Sequence, residues 1–132
     1  LCEQHILGLD VTMQDLGGCC MSVSLRDYAR IGQFALEGGR LPNGGRVVPG
    51  DWFANATAAK AETGRPGFGY GYQWWTYPKG RFGAQGIFGQ GITVDPAKRI
   101  VIAQSAAWPK ATGAELGAAR LAFFDKLITA AE

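Results

Sequence analysis

The sequence predicts an α+β fold: an antiparallel β-sheet with flanking helices. Three observations predict it. Apolar residues after Ser24 recur at helical spacing. Residues 70–106 read as consecutive strands joined by Gly- and Pro-containing turns. An apolar stripe at helical spacing returns over residues 113–130. Strands in a row, closed by a helix lying on one sheet face, are an α+β signature.

The elements follow in order. Ser24 and Asp27 form a capping-box pattern, so a helix starts at Leu25. Its inner face carries Leu25, Tyr28, Ile31, Ala35 and Leu36, and Gly38-Gly39 stop it. Residues 41–48 read as a turn between short extended pieces. A second helix is expected over residues 51–60, with Trp52 and Phe53 facing inward. Residues 61–68 read as loop. Tyr70, Tyr72 and Trp74 then alternate with Gly71, Gln73 and Trp75, the pattern of an aromatic strand. Strict alternation sends Trp74 and Trp75 to opposite faces. Tyr77-Pro78-Lys79-Gly80 turns the chain. Residues 81–87 and 89–94 read as two further strands, Asp95-Pro96-Ala97-Lys98 as a hairpin turn, and residues 99–106 as a fourth strand ended by Trp108-Pro109. The closing helix, residues 113–130, lines up Leu116, Leu121, Phe124, Leu127 and Ile128. Residues 1–20 read as loop with one helical turn.

The totals bound the function classes. A chain of 132 residues suits one domain. A net charge of +2, with basic residues scattered singly, does not suggest a nucleic-acid or membrane-surface partner. No apolar run approaches the roughly 20 residues of a transmembrane helix. Cys2, Cys19 and Cys20 are read as small buried residues, since adjacent cysteines bridge only with strain. His5 has no companion ligands for a metal. No cofactor fingerprint occurs, so no cofactor is expected. The chain opens on Leu1 with no signal-peptide pattern, so the expectation is that more sequence precedes it, and the compartment is not readable.

A complete active site is missing from these residues. Ser22, Ser24 and Ser105 are the serines; none is followed by Lys three positions on, and none sits in a GxSxG elbow. What remains is a glycine-rich strand edge flanked by aromatics, residues 81–91. A backbone N–H beside glycine can stabilise a developing oxyanion. The same glycines could equally relieve crowding in a twisted sheet. Tyr72, Trp74, Trp75 and Tyr77 could line an apolar pocket or form the sheet's own core.

Several segments together resemble one family. Residues 17–32 (GGCCMSVSLRDYARIG), Val47-Val48-Pro49-Gly50-Asp51-Trp52, Tyr70-Gly71-Tyr72-Gln73-Trp74-Trp75 and residues 86–96 (GIFGQGITVDP) are similar to serine hydrolases related to class C β-lactamases and penicillin-binding proteins. The likeness is nearest to the branch of nylon-oligomer (aminohexanoate-dimer) hydrolases and related esterases. It covers most of the chain from Gly17 onward, while residues 1–16 fit poorly. The resemblance implies the C-terminal portion of a β-lactamase/transpeptidase-like fold, one incomplete domain over 1–132 with residues 1–20 a poorly matching lead-in.

It also implies acyl transfer. In this family the Ser of a Ser-x-x-Lys motif attacks an amide or ester carbonyl, while its Lys and the Tyr of a Tyr-x-Asn/Ser motif handle the proton. Neither motif occurs in this chain, so the implied partner is a missing N-terminal part of the same protein, acting with this chain on a small amide or ester. The family's third motif, Lys-Thr-Gly or His-x-Gly, falls on Ala84-Gln85-Gly86. The Ile87 N–H would then be an oxyanion donor beside Gly86, with Trp74, Trp75, Ala84 and Gln85 along the substrate. Ala84 replaces the cationic or imidazole residue that commonly helps to hold a substrate carboxylate. That departure favours an esterase, amidase or oligomer hydrolase over a β-lactamase. If the chain is complete as it stands, the alternatives are a non-catalytic ligand-binding or regulatory module, or a scaffold.

Overall fold

Six strands follow one another across a single antiparallel sheet in chain order: β1 Ala61–Glu62, β2 Gly69–Tyr70, β3 Trp75–Thr76, β4 Phe82–Gln85, β5 Gly91–Asp95 and β6 Ile100–Gln104. Among the described residues, three α-helices accompany them: α1 Leu25–Leu36, α2 Trp52–Ala56 and α3 Ala114–Ala130. The structure, a computed structural model, describes residues 23–131. The three cysteines, His5, the lead-in over 1–20 and the first part of the segment over 17–32 lie outside the described residues. No helix among the described residues is long and apolar enough to cross a membrane.

The ladder register sets the two faces. Phe82 pairs with Val94 and Ala84 with Ile92, so these four share a face; Gly83 pairs with Thr93 and Gln85 with Gly91 on the other. Helix α1 covers the first face. Gly32 is the reason it lies close: a Cβ there would stand 2.6 Å from Val101 and 2.7 Å from Ile92. Ala35, Phe82, Ile92 and Val94 form the buried core, with Tyr28, Ile31, Phe53, Trp74 and Val101 packed around it. Burying a side chain such as Ile92 is worth about 1.5–3 kcal/mol. The start of α1 matches its capping pattern. The Ser24 Oγ accepts from the Asp27 N–H and donates to the Asp27 carboxylate at 2.7 Å.

Helix α3 lies on the opposite face and is tethered partly by charge. Arg81, on the way into β4, donates to Asp95 and to Asp125 of α3, both at 2.6 Å. The Lys98 ammonium donates to the Ile128 carbonyl. The buried positions of α3 are Arg120, Phe124 and Ile128. Leu127, expected on the inner face, is 41% exposed. Four-residue spacing from Ile128 leads through Phe124 to Arg120, and Leu127 falls beside that stripe rather than on it.

Three further expectations are corrected. The second helix spans only five residues, and Trp52 stands out to solvent while Phe53 packs inward on Phe34 and Trp74. It stops because the Ala56 carbonyl is taken by the Tyr72 N–H. The expected aromatic strand is a hairpin: the Gly71 N–H donates to the Trp74 carbonyl, and Gln73 takes a positive φ of 63°. Gly71 permits this because a Cβ would collide with the Ala56 carbonyl. The loop over 61–68 contains β1, a two-residue edge pairing with β2.

Candidate active site

β4 ends at Gln85, two residues before Ile87, and the expected strand over 81–87 gives way to a tight turn. Gly86 is extended, with φ −102° and ψ 165°; the chain then turns tightly through Ile87–Gly89, leaving helical geometry at Phe88, before it enters β5. Phe88 and Gly89 both adopt positive φ, 58° and 94°. For a non-glycine residue that conformation costs about 1–2 kcal/mol, so the surroundings must impose it. Gly89 is sterically required, since a Cβ would lie 2.5 Å from the Trp108 Nε1.

The turn is bonded on nearly every side. The Phe88 N–H donates to the Ala111 carbonyl at 2.8 Å, and the Trp108 N–H donates to the Phe88 carbonyl at 3.1 Å. Gln104 donates through Nε2 to the Gly89 carbonyl. The Gln90 carbonyl accepts from both the Gly86 N–H, at 3.0 Å, and the Arg120 guanidinium, at 3.2 Å. The Ile87 N–H finds no backbone acceptor among the described residues. Ile87 is 57% exposed and Phe88 43%. The Gln90 Oε1 is buried, meets no donor among the described residues and packs behind Gly86.

Behind the turn stand ionisable groups the sequence reading did not connect with it. Tyr77 lies across Gly83, and its hydroxyl accepts from Gln85 Nε2 at 2.8 Å. Burial raises the Tyr77 phenol, against the lowering effect of the Gln85 bond. Burial likewise draws the Arg120 guanidinium down from its ordinary value, opposed by Tyr77 and Tyr28. Arg120 also sits over the Trp108 ring, 5.1 Å from its centroid. A legible signal for Arg120 existed: a charged residue four positions before Phe124 and eight before Ile128, on the apolar stripe. The sequence around Trp108 signals only the end of a strand.

The expected site residues divide. Ala84, Gln85, Gly86 and Ile87 run consecutively through the end of β4 into the turn, and Trp75 pairs with Gly83 in the next strand. Trp75 stacks edge-on against Tyr70 at 5.0 Å and remains partly exposed. Trp74 is drawn into the core between Phe53 and Phe82. The Gln85 amide is occupied by Tyr77. Two depressions lie away from the turn. One runs between α1 and β6 beside Arg30, Gln33 and Arg99; the other lies under α3 beside Phe68, Thr93 and Phe124. The chemistry the turn can offer is a fixed backbone donor beside two glycines, able to face developing negative charge without reorganising.

No family model matches the chain. The curated 6-aminohexanoate-dimer hydrolase of Paenarthrobacter ureafaciens is 33% identical over 100 residues, covering 67% of this chain and 25% of that protein. A solved chain from Bacillus anthracis, provisionally named as a 6-aminohexanoate-dimer hydrolase, superposes with a TM-score of 0.63 at 25% identity. It covers 79% of this chain and 28% of its own length. The chain thus spans about a quarter of the length of the relatives it matches. Sequence and fold lead to the same group of proteins, and the antiparallel sheet with its flanking helices is the part they share. The chain belongs to the serine hydrolases related to class C β-lactamases and penicillin-binding proteins, in the aminohexanoate-dimer hydrolase branch, and corresponds to a C-terminal part of that fold.

Proposed function

We propose that this chain is the oxyanion-side part of a serine acyl-hydrolase that cleaves small amides or esters through an acyl-enzyme. The observation that carries the proposal is the similarity to a 6-aminohexanoate-dimer hydrolase over two thirds of the chain. The turn after β4 supports it, because among the described residues its Ile87 N–H meets no backbone acceptor, while the Gly86 and Phe88 N–H groups on either side are bonded. In this reading a Ser-x-x-Lys serine elsewhere in the protein attacks the carbonyl, and the adjacent Lys with a Tyr takes the proton. The Ile87 N–H and the nucleophile's own N–H hold the oxyanion, while Gly86 clears the approach and Trp75 supplies pocket wall. Ala84 offers no charge to a substrate carboxylate, which favours ester or amide substrates over β-lactams.

The complete reading frame around this chain tests the proposal. It is expected to contain Ser-x-x-Lys and Tyr-x-Asn or Tyr-x-Ser. The expressed protein should hydrolyse p-nitrophenyl acetate or the linear 6-aminohexanoate dimer and lose activity when a fluorophosphonate labels that serine. A second reading, a non-catalytic binding module, rests on one observation: no serine in this chain has Lys three residues on. A complete frame with neither motif and no turnover would establish that reading instead.

A further inference from the structure

Arg120 is the unexpected member of the α3 stripe. It is 7% exposed, while the other buried positions of the helix are Phe124 and Ile128. A leucine there would satisfy the core without cost, whereas a buried guanidinium must recover its lost hydration through bonds. Among the described residues no carboxylate pairs with it. Its hydrogen bond goes to the Gln90 carbonyl, and its planar face meets the Trp108 ring. Gly91 leaves room for the approach, since a Cβ there would stand 3.4 Å from Arg120 Nη1. The Gln90 carbonyl in turn accepts from the Gly86 N–H, the amide immediately before that of Ile87. Trp108, the ring Arg120 covers, also blocks any side chain at position 89 and donates its N–H to the Phe88 carbonyl. One buried cation therefore reaches the turn from two sides.

We propose that Arg120 is a positioning residue, which fixes the turn over 86–90 so that the Ile87 N–H holds its place against the substrate carbonyl. The inference rests on the hydrolase reading above and deepens it. Arg120 acts through Gln90 and Trp108 and does not itself touch substrate. Arginine suits the role because its planar fork can donate to a carbonyl while its face rests on an indole; an ammonium offers a point charge without that face. A loosened donor acts on the transition state more than on substrate binding, so the effect belongs in kcat.

The test uses the complete protein with p-nitrophenyl acetate as probe. Arg120→Met is expected to lower kcat on the order of 10- to 100-fold while KM stays within about twofold. Amide exchange at Gly86 should accelerate in the same variant. Arg120→Lys, which keeps the charge and loses the fork, should fall between the two, and it carries the test should Arg120→Met fail to fold. Added methylguanidinium should restore part of the kcat of Arg120→Ala. Full kcat in Arg120→Met or Arg120→Lys, with only the melting temperature lowered, overturns the proposal and makes Arg120 a packing residue. A wild-type protein without turnover overturns the hydrolase reading itself, an outcome separable from the first because no variant is needed to see it.

Discussion

β5 is entered and left by two turns that are built in different ways. The one leaving it takes its shape from its own residues, with side-chain ties to Arg81, Glu37 and Ile128 added from outside. The Asp95 carboxylate accepts the Lys98 N–H at 3.0 Å, Arg99 closes the turn at a φ of 56°, and Arg81 anchors Asp95 from the neighbouring strand. The one entering it is held from a distance. Its carbonyls are bonded by Gln104, Trp108 and Arg120, and its Phe88 N–H by Ala111. A turn that only joins two strands needs its own four residues and a capping carboxylate. The turn entering β5, whose Ile87 N–H meets no backbone acceptor among the described residues, is fastened by segments that come later in the chain. The two turns should therefore fail differently.

The local turn should show the largest loss of stability. The Arg81 and Asp95 side chains are only 12% and 4% exposed, so Asp95→Ala leaves the buried guanidinium with only the exposed Asp125 carboxylate and strips the Lys98 N–H of its acceptor. The expected cost is about 3–5 kcal/mol, read by urea unfolding of the complete protein. The same contact predicts an acid dependence. Burial would push Asp95 up, but the Lys98 N–H, Arg81 and the Ala97 N–H outweigh it and hold the carboxyl below the ordinary range. Arg81 and Lys79 lower Asp125 likewise. A depressed carboxylate contributes stability that is fully present above its unfolded value and is lost as pH falls through the folded one. Wild type should thus lose stability below about pH 4, and Asp95→Ala should lose less over that window. Equal acid sensitivity in both proteins would refute the assignment.

Deleting the Ile87 donor in the remote turn should show the opposite signature, a large effect on rate with little on folding. Ile87→Pro deletes the N–H assigned to the oxyanion. Gly86 already holds the extended conformation that a following proline demands, so the fold should accept the change. A loss on the order of 100-fold in kcat is expected, corresponding to about 2.7 kcal/mol of transition-state stabilisation. Unchanged turnover in the folded variant would remove Ile87 from the mechanism.

The same division separates what was legible in the sequence from what was not. The Ser24 cap, the closing helix and the Asp95-Pro96-Ala97-Lys98 turn are encoded by neighbouring residues, and each appears where the spacing put it. The strand that ended early at Gln85, the hairpin within residues 70–75 and the shortened second helix are decided by partners far away in the chain. Period-two aromatics look alike whether they form one strand or two, and it is the Ala56 carbonyl, receiving the Tyr72 N–H, that breaks the run. Trp74 and Trp75 do diverge as alternation requires, but only the fold shows which one the core takes. Ala84, Gln85, Gly86 and Ile87 follow from family resemblance; the charge of Arg120 on the apolar stripe is legible, but its partner is a main-chain carbonyl, which no sequence pattern names.

Gly89 offers the finest test of how the remote turn is held. Gly89→Ala meets two penalties: a positive φ of 94° and a Cβ 2.5 Å from the Trp108 indole. Gly44 has a similar φ, 83°, with nothing within 4 Å of where its Cβ would be. Gly44→Ala should therefore report the conformational cost alone, about 1 kcal/mol. Gly89→Ala should exceed it by a further 1–3 kcal/mol, roughly the cost of overpacking, as Trp108 is pushed from beneath Arg120. The indole N–H resonance of Trp108 should shift in the second variant and stay in place in the first. Equal losses for the two would mean that Trp108 yields freely, and the turn would then owe its shape to its hydrogen bonds and not to the ring packed against it.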